Sequence, residues 1–413
     1  MNKEKIIYII LFTAVFNAVL RISSESSLTA FRLLIPVSLI LIYTINKKTF
    51  SFLIKGSILF LLLATLQNFI TKDFFYPQVG TINYSHLFEY CIHYISIFVV
   101  VALVHCLRVI NGEDFFIKLI NYLSWLVKFI LLIYIPYILT GHRPENFLVF
   151  GNINDLGCIL TGGILVILFD TVTKKGFKFV YIFLLLSLLY YNDSKLAMFG
   201  GILEVFLYYI LQFSKKVRDL KRTVSIVLIS IGVVIVVSVF SSSLEINGYS
   251  VRNMVLGPYY QIVEGVYFPH SSQSFTFRTN NIVGIIEILK SSWGVGVGPG
   301  NTSLILKYLI PDPDGIIRQD YVASHIWWFE IMADLGWIVI IPMVRLYIKE
   351  WKQYLSMEKQ GGKLFASIFF IAFPIWCMSS SGLYTEFYSI MLIALSLVVG
   401  INTKSAKILK SNE

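Results

Sequence analysis

The stretch Thr279-Asn-Asn-Ile-Val-Gly-Ile-Ile-Glu-Ile-Leu-Lys-Ser-Ser-Trp-Gly-Val-Gly-Val-Gly-Pro-Gly300 lies inside Ser243–Leu335, the one long polar run of the chain. On both sides of it the sequence is a succession of apolar runs, and that contrast decides the fold. Over 279–291, Ile282, Ile285, Ile286 and Leu289 recur at helical spacing and share one face. The spacing predicts an amphipathic helix lying on a membrane surface. Gly294-Val-Gly-Val-Gly-Pro-Gly300 follows. No Gly-Lys-Ser/Thr comes after it and no strand–helix–strand unit surrounds it, so it is not a nucleotide fingerprint. It reads either as a flexible turn or as a tight backbone turn that comes close to a ligand and offers N–H groups to anionic oxygens.

The chain has 413 residues, of which 56% are hydrophobic and 14% charged, and its mean hydropathy is +0.74. Soluble chains carry roughly 25% charged residues, so this one belongs in lipid. The net charge of +10 does not mark a nucleic-acid binder, because the cations sit in short clusters between apolar runs. Cys91, Cys106, Cys158 and Cys377 all fall inside apolar runs and have no metal-ligand spacing. The start, Lys3-Glu-Lys5 before an apolar run, resembles a signal peptide but lacks a small-residue cleavage site, and reads as a retained first span.

A span needs about 20 apolar residues. Runs of that kind fall at 6–20, 28–45, 51–71, 89–110, 118–140, 155–173, 177–191, 196–213, 223–241, 326–348, 364–381 and 384–401, which predicts an all-α polytopic membrane protein of about 12 transmembrane helices. Alternating from a cytoplasmic N-terminus puts nearly every cluster of lysine and arginine on one side, among them Lys47, Lys48, Lys174, Lys175, Lys215, Lys216, Lys349 and Lys352. The short stretches on the other side keep only Arg21, Arg32, Lys72, Arg143 and Lys195. This is the positive-inside pattern, and one helix more or fewer in the middle would scramble it. Both termini are thus expected in the cytoplasm. Three parts follow: residues 1–241 as an N-terminal bundle of about 9 helices, 242–325 as a large extracytoplasmic loop, and 326–413 as about 3 further helices with a cytoplasmic tail. A polar connection of about 80 residues is too long to be a mere link, and long loops carry function.

The candidate site residues lie in and around that loop. Arg278 is a solvated loop cation in the plain reading and a diphosphate clamp in the sharper one, since a guanidinium pairs bidentately with phosphate oxygens. His325 opens the span Ile326-Trp-Trp-Phe-Glu-Ile-Met-Ala-Asp-Leu-Gly336. It reads as an interfacial belt residue or as a group that removes a proton from a sugar hydroxyl. Glu330, five residues on, is the second candidate base, and Asp334 follows it; carboxylates in an apolar run are costly and call for an aqueous cavity or a cationic partner. Lys195, at the start of the span Leu196-Ala-Met-Phe-Gly-Gly, is a span-end cation or a second phosphate contact, and Arg143 and Arg32 are similar. Asn154 and Asp155 lie in Phe150-Gly-Asn-Ile-Asn-Asp-Leu-Gly157 and either cap a helix or bind sugar hydroxyls. The glycines offered to anionic oxygens are Gly296, Gly298 and Gly300.

These residues, in this order, resemble the family of O-antigen polymerases and O-antigen ligases. The topology resembles it over most of the chain, and the motifs from about Gly151 to Gly336. Gly151-Asn-Ile-Asn154 is similar to the family's polar opening of a span, and Ser194-Lys195 to its Ser-Arg. Arg278 stands before Gly294 at the family's spacing, Gly296-Val-Gly-Pro-Gly300 follows, and His325 precedes Gly336 as the family's histidine precedes a glycine. The chain departs from the family in three places. Lys195 replaces an arginine, which keeps the charge and loses the fork. Ile326 stands where Asn, Ser or Gln is usual. Arg143 lacks the glycine that follows the family's earlier arginine.

The resemblance implies a fold similar to GT-C-like membrane glycosyltransferases and an enzyme of the bacterial plasma (inner) membrane whose large loop is periplasmic or extracellular. It implies a polymerase of undecaprenyl-diphosphate-linked oligosaccharide repeat units (O-antigen, capsular or exopolysaccharide), a metal-independent inverting glycosyltransferase with no cofactor. Its partners would be a lipid-linked glycan donor and acceptor, membrane lipid, a chain-length regulator and a flippase, with no nucleic acid. Arg278 and Lys195 would neutralise the leaving lipid diphosphate, and His325 or Glu330 would serve the acceptor hydroxyl. Arg143, Asn154 and the three glycines would bind substrate, and loop aromatics such as Tyr259, Tyr260 and Trp293 would stack on sugar faces. A ligase that joins finished glycan to lipid A core is the nearest alternative, and a flippase or permease of lipid-linked glycan the next. Against transport stands the lack of an internal repeat or a matched pair of broken helices.

Overall fold

The computed structural model describes residues 2–17, 20, 29–71, 84–142, 153–192, 195–213, 245–246, 249–250, 262–265, 274–310, 327–355, 360–376, 388 and 390–395. In chain order these form α1 (Lys3–Val15), α2 (Ala30–Leu33), α3 (Ile35–Ile45), α4 (Lys47–Ile70), α5 (Tyr84–Asn111), α6 (Phe115–Leu139), α7 (Ile153–Phe169), α8 (Lys175–Tyr191) and α9 (Lys195–Phe213). A minimal antiparallel pair follows, β1 (Glu245–Ile246) and β2 (Tyr249–Ser250), with Glu245 opposite Ser250. Then come α10 (Ser274–Ser291), α11 (Asn301–Leu309), α12 (Trp327–Leu355) and α13 (Gln360–Trp376). The apolar run 28–45 is not one helix: Pro36 enters the first turn of α3 and fixes a new start after Leu34. Asn46 stops α3 and caps α4, its Oδ1 accepting from the N–H groups of Lys48 and Thr49 at 3.0 and 3.1 Å. The runs expected at 223–241 and over most of 384–401 lie outside the described residues.

Among the described residues, three helices are long and apolar enough to cross a membrane, Lys47–Ile70, Leu87–Asn111 and Phe115–Leu139; Leu156–Phe169, Ala197–Gln212 and Leu364–Phe373 are shorter apolar helices. Their outer faces are bare: Phe52 of α4 is 81% exposed and Leu132 of α6 is 70% exposed. Apolar surface on that scale is solvated by lipid, and the chain is a membrane protein. Inside, α7, α9 and α13 form the tightest layer. Gly163 lets Val127 of α6 approach, since a Cβ there would lie 3.0 Å from its Cγ1, and Gly201 does the same for Ile164. Small residues at such crossings are how helices pack where water supplies no driving force. Phe365, Phe369 and Phe373 line the buried side of α13, with Phe369 stacked on Phe373 at 4.6 Å.

The two ends of the bundle differ in chemistry. At one, Lys118 pairs with Glu4 at 3.6 Å, Lys3 donates to the Thr44 carbonyl, and Thr49 of α4 meets His105 of α5. From there α4 runs about 36 Å to Thr71, which touches the Gly-rich turn. Lys3, Lys118 and the Lys47 start of α4 thus stand at the end of α4 away from the Gly-rich turn. Helix α10 does not lie free. Ile285 and Ile288 are buried in a small second core with Val297, Ile305, Leu306, Ile310 and Ala333, contributed by the turn, α11 and α12. Asn280 and Asn281 are buried on another side of the same helix, so α10 is an internal strut and not the surface helix its spacing predicts.

Candidate functional site

The Gly-rich run folds as a tight turn wedged between the end of α4 and a break in α12. The break is at Gly336, which takes φ +66° and ψ −173° within the helix. Gly294, Gly296, Gly298 and Gly300 also have positive φ, a region open mainly to glycine. The contacts explain why. A Cβ on Gly296 would lie 2.7 Å from the Asp334 carbonyl, and one on Gly300 would lie 2.7 Å from the ring of Tyr90. The turn therefore makes a close approach, and its immediate partner is protein. Val297 N–H donates to Ala333 O at 2.9 Å, Gly298 N–H to Asp334 O at 2.8 Å, and Trp337 N–H to Gly294 O at 2.8 Å. The anionic oxygens that meet the turn's amide groups are those of Asp334, which accepts from Gly300 N–H at 3.1 Å.

From α4, Gln67 donates to Val295 O at 2.7 Å and to Leu335 O at 3.2 Å, and Thr71 donates to Val297 O at 2.9 Å. Asn301 donates to Asn68 Oδ1 at 2.5 Å and to Val297 O at 2.7 Å. Beside this joint, Tyr90 of α5 bonds Ser303 and lies within electrostatic reach of Glu330 and Asp334. Glu330, in the first turn of α12, is 6% exposed. One turn along α5 from Tyr90, His93 receives the guanidinium of buried Arg32 at 2.8 and 3.0 Å.

A second corner forms where α7 and α9 pack together. Thr161 of α7 donates to Ala197 O of α9 at 2.9 Å, which brings the Lys195 end of α9 against the helix that starts beside Asn154. Arg278, in the second turn of α10, is largely buried, with Cys158 of α7 within electrostatic reach. Among the described residues its buried Nε has no hydrogen-bond partner and no carboxylate pairs with it. Burial lowers its pKa from the ordinary value, yet a guanidinium stays charged at any working pH. The result is a fixed cation, poorly hydrated and without a matching anion in the described protein. Such a group takes phosphate or carboxylate oxygens bidentately.

The structure thus gathers the predicted residues into two groups: Arg278 with the starts of α7 and α9, and the three glycines with Glu330 and Asp334. Helix α10 joins the groups. His325 and Arg143 lie outside the described residues. Among the described residues, no group of 3 His, Cys, Asp or Glu is placed to hold a metal ion. The sequence reading missed Gln67, Asn68 and Thr71, whose one signal is a polar cluster closing an apolar run. It also missed Glu204, fully buried in α9, a lone carboxylate in an apolar run that marks a candidate by its cost alone.

Residues 180–344 match the family model described as O-antigen ligase. The matched segment takes in Lys195, Arg278, the Gly-rich turn, Glu330 and Gly336, and it supports the O-antigen polymerase and ligase family that the ordered motifs resemble. Members of that family transfer glycosyl groups from lipid-linked glycans. No curated protein and no solved structure matches the chain.

Proposed function

We propose, from the family that residues 180–344 match, that this chain is a polymerase of undecaprenyl-diphosphate-linked oligosaccharide repeat units. It works at the outer face of the plasma membrane and inverts the anomeric carbon. The observation that carries the reading is Arg278: a largely buried guanidinium at the loop end of the bundle, with an unpartnered Nε. When the glycosidic bond to the carrier breaks, the lipid diphosphate departs with its charge and needs neutralisation more than a proton. A pre-placed cation in a dry site supplies that at no reorganisation cost. Lys195, at the start of neighbouring α9, is the second cation of the same corner, and Asn154 at the start of α7 serves sugar hydroxyls. Arg143, outside the described residues, is a further substrate contact in this reading. The acceptor hydroxyl attacks in line from the other side, and its proton goes to His325 or, failing that, to Glu330. The three glycines hold the turn against the arm that carries Glu330. The reaction needs no metal and no cofactor.

The description of the matching family favours a second reading, a ligase that passes finished glycan to lipid A core. One assay separates the two. The purified protein is incubated with a chemically defined undecaprenyl-diphosphate repeat unit, and the products are run on a gel beside those of Arg278→Ala and His325→Ala. Wild type is expected to give a ladder that both variants lose. Transfer only after lipid A core is added means a ligase. No product in either case, with the lipid-linked unit still crossing a proteoliposome bilayer, means a flippase and ends the catalytic reading.

A further inference from the structure

Two cores meet at the last turn of α4. The main core is the membrane bundle, which carries the starts of α7 and α9. The small one is built from α10, which bears Arg278, the turn, α11 and Ala333 of α12; the arm of α12 that bears Glu330 runs between the two, with Ile331 and Leu335 in the main core. Gln67 touches both chain segments that close the small unit: its Nε2 donates to Val295 O, in the turn that leaves α10, and to Leu335 O, the last carbonyl before the break at Gly336. The side chain is 5% exposed. Its orientation follows from chemistry, since a flipped amide would set Oε1 against two carbonyl oxygens. In the orientation present, Oε1 is buried with no partner among the described residues. A buried acceptor left unsatisfied is costly, and the residue carries that cost while its nitrogen holds two segments at once.

We propose that Gln67 is a positioning residue for the transfer, seating the unit that bears Arg278 and the arm that bears Glu330 on the bundle that bears Asn154 and Lys195. The proposal rests on the glycosyl-transfer reading above and goes beyond it, because Gln67 lies outside the matched segment 180–344. Geometry explains the leverage. Helix α10 is about 27 Å long and the arm Trp327–Leu335 about 13 Å. A tilt of about 5° at the joint moves their far ends by about 1–2 Å, and a misplacement of about 1 Å costs about a hundredfold in rate. Thr71, which donates to Val297 O, shares the seat but reaches only one segment.

The test compares wild type with Gln67→Met, whose flexible unbranched side chain fills the same space without a donor. Full-length protein in lipid nanodiscs is given a defined undecaprenyl-diphosphate repeat unit. In parallel, spin labels at Glu287 on α10 and Leu66 on α4 report the distance across the seat. The expected result is kcat lower by about 10–100-fold with KM within about threefold, and a broadened distance distribution. Lys128→Met, at the opposite end of the bundle, is the control for lost stability alone. A distribution as narrow as that of wild type overturns the proposal. So does an unchanged kcat, or a loss of kcat no larger than in Lys128→Met at equal apparent Tm. If wild type itself makes no transfer product, the glycosyl-transfer reading falls, and the label distances alone decide whether α4 seats the unit. Should Gln67→Met fail to fold, Thr71→Val takes its place, with a smaller kcat loss of about 3–10-fold.

Discussion

Asp334 closes the first turn of the helix that Gly300 opens. Its Oδ2 accepts from the Gly300 N–H at 3.1 Å, while Oδ1 accepts from the Thr302 N–H at 3.3 Å and the Thr302 hydroxyl at 2.5 Å. The first amide groups of a helix have no partner within it, and they are usually met by the side chain of the preceding residue. Gly300 has none, because its φ of +83° and the ring of Tyr90 exclude one. The cap is therefore brought from α12, and a carboxylate suits the positive end of the α11 dipole. A costly buried acid thus finds compensation in two backbone amides and a hydroxyl.

Asp334→Ala is expected to destabilise the protein by about 2–3 kcal/mol, since it leaves buried N–H groups unsatisfied. Asp334→Asn keeps one acceptor oxygen and is expected to lose about half as much. Thermal unfolding in detergent, read as apparent Tm, gives the order wild type, Asn, Ala. An alanine variant as stable as wild type would show that the cap does not contribute.

Gly336 and Gly56 make a paired prediction. At Gly336 a Cβ would overlap the Val295 carbonyl in a backbone conformation that L side chains rarely adopt. Gly336→Ala is expected to cost at least about 3 kcal/mol and to leave little folded protein in size-exclusion profiles. Gly56 sits inside α4 with nothing within 4 Å of its added Cβ. Gly56→Ala is expected to be neutral or to raise stability by up to about 1 kcal/mol. The same substitution, made 280 residues apart, should run in opposite directions.

Much of the helical framework could be read from the chain because lipid-facing helices announce themselves through composition. Runs at 51–71, 89–110 and 118–140 correspond to α4, α5 and α6 within a few residues. The Gly-rich run was legible as a turn, either flexible or tight, because repeated glycine opens backbone conformations that other residues avoid. What it approaches was not legible. Gln67 reaches Val295 across a separation of 228 residues, and no local pattern encodes such a contact. Helix α10 shows the same limit from the other side. Its spacing gives the helix, but whether lipid or protein covers the apolar face depends on α11 and α12, which lie elsewhere in the chain. Arg278 was legible as a cation and as part of a resemblance; its burial beside Cys158 was not.

At the basic end, Asp170 follows α7 with a fully buried side chain, and Lys128 of α6 meets it at 2.9 Å. Ser124 donates to the same carboxylate at 2.6 Å and Val172 N–H at 2.7 Å, with Thr173 adding its hydroxyl. Lys128→Met removes the cation and leaves a buried carboxylate, at an expected cost of about 3 kcal/mol, the low end because Lys128 keeps some contact with solvent. Pairing it with Asp170→Asn should recover at least half of the loss, since the amide carries no charge to strand. A double variant as unstable as Lys128→Met alone would mean that the lysine acts through packing and not through its charge.

Arg278 separates charge from geometry. Arg278→Ala removes the cation and is expected to lower kcat by about 10²–10³-fold. Arg278→Lys restores a charge without the fork and is expected to recover part of that rate, leaving kcat about tenfold below wild type. If the guanidinium meets the leaving diphosphate as charge builds on it, kcat and kcat/KM fall together while KM changes little. A rise in KM at constant kcat would instead make Arg278 a contact for the bound substrate in its ground state. The folded fraction should not explain the loss. The cation is buried without a carboxylate partner among the described residues, so replacing it by alanine strands no opposite charge and relieves a desolvation cost. Arg278→Ala is therefore expected to be at least as stable as wild type while nearly inactive, the trade found where a site holds a strained charge for function. An alanine variant that loses activity only in step with its apparent Tm would count against a direct role in the transfer.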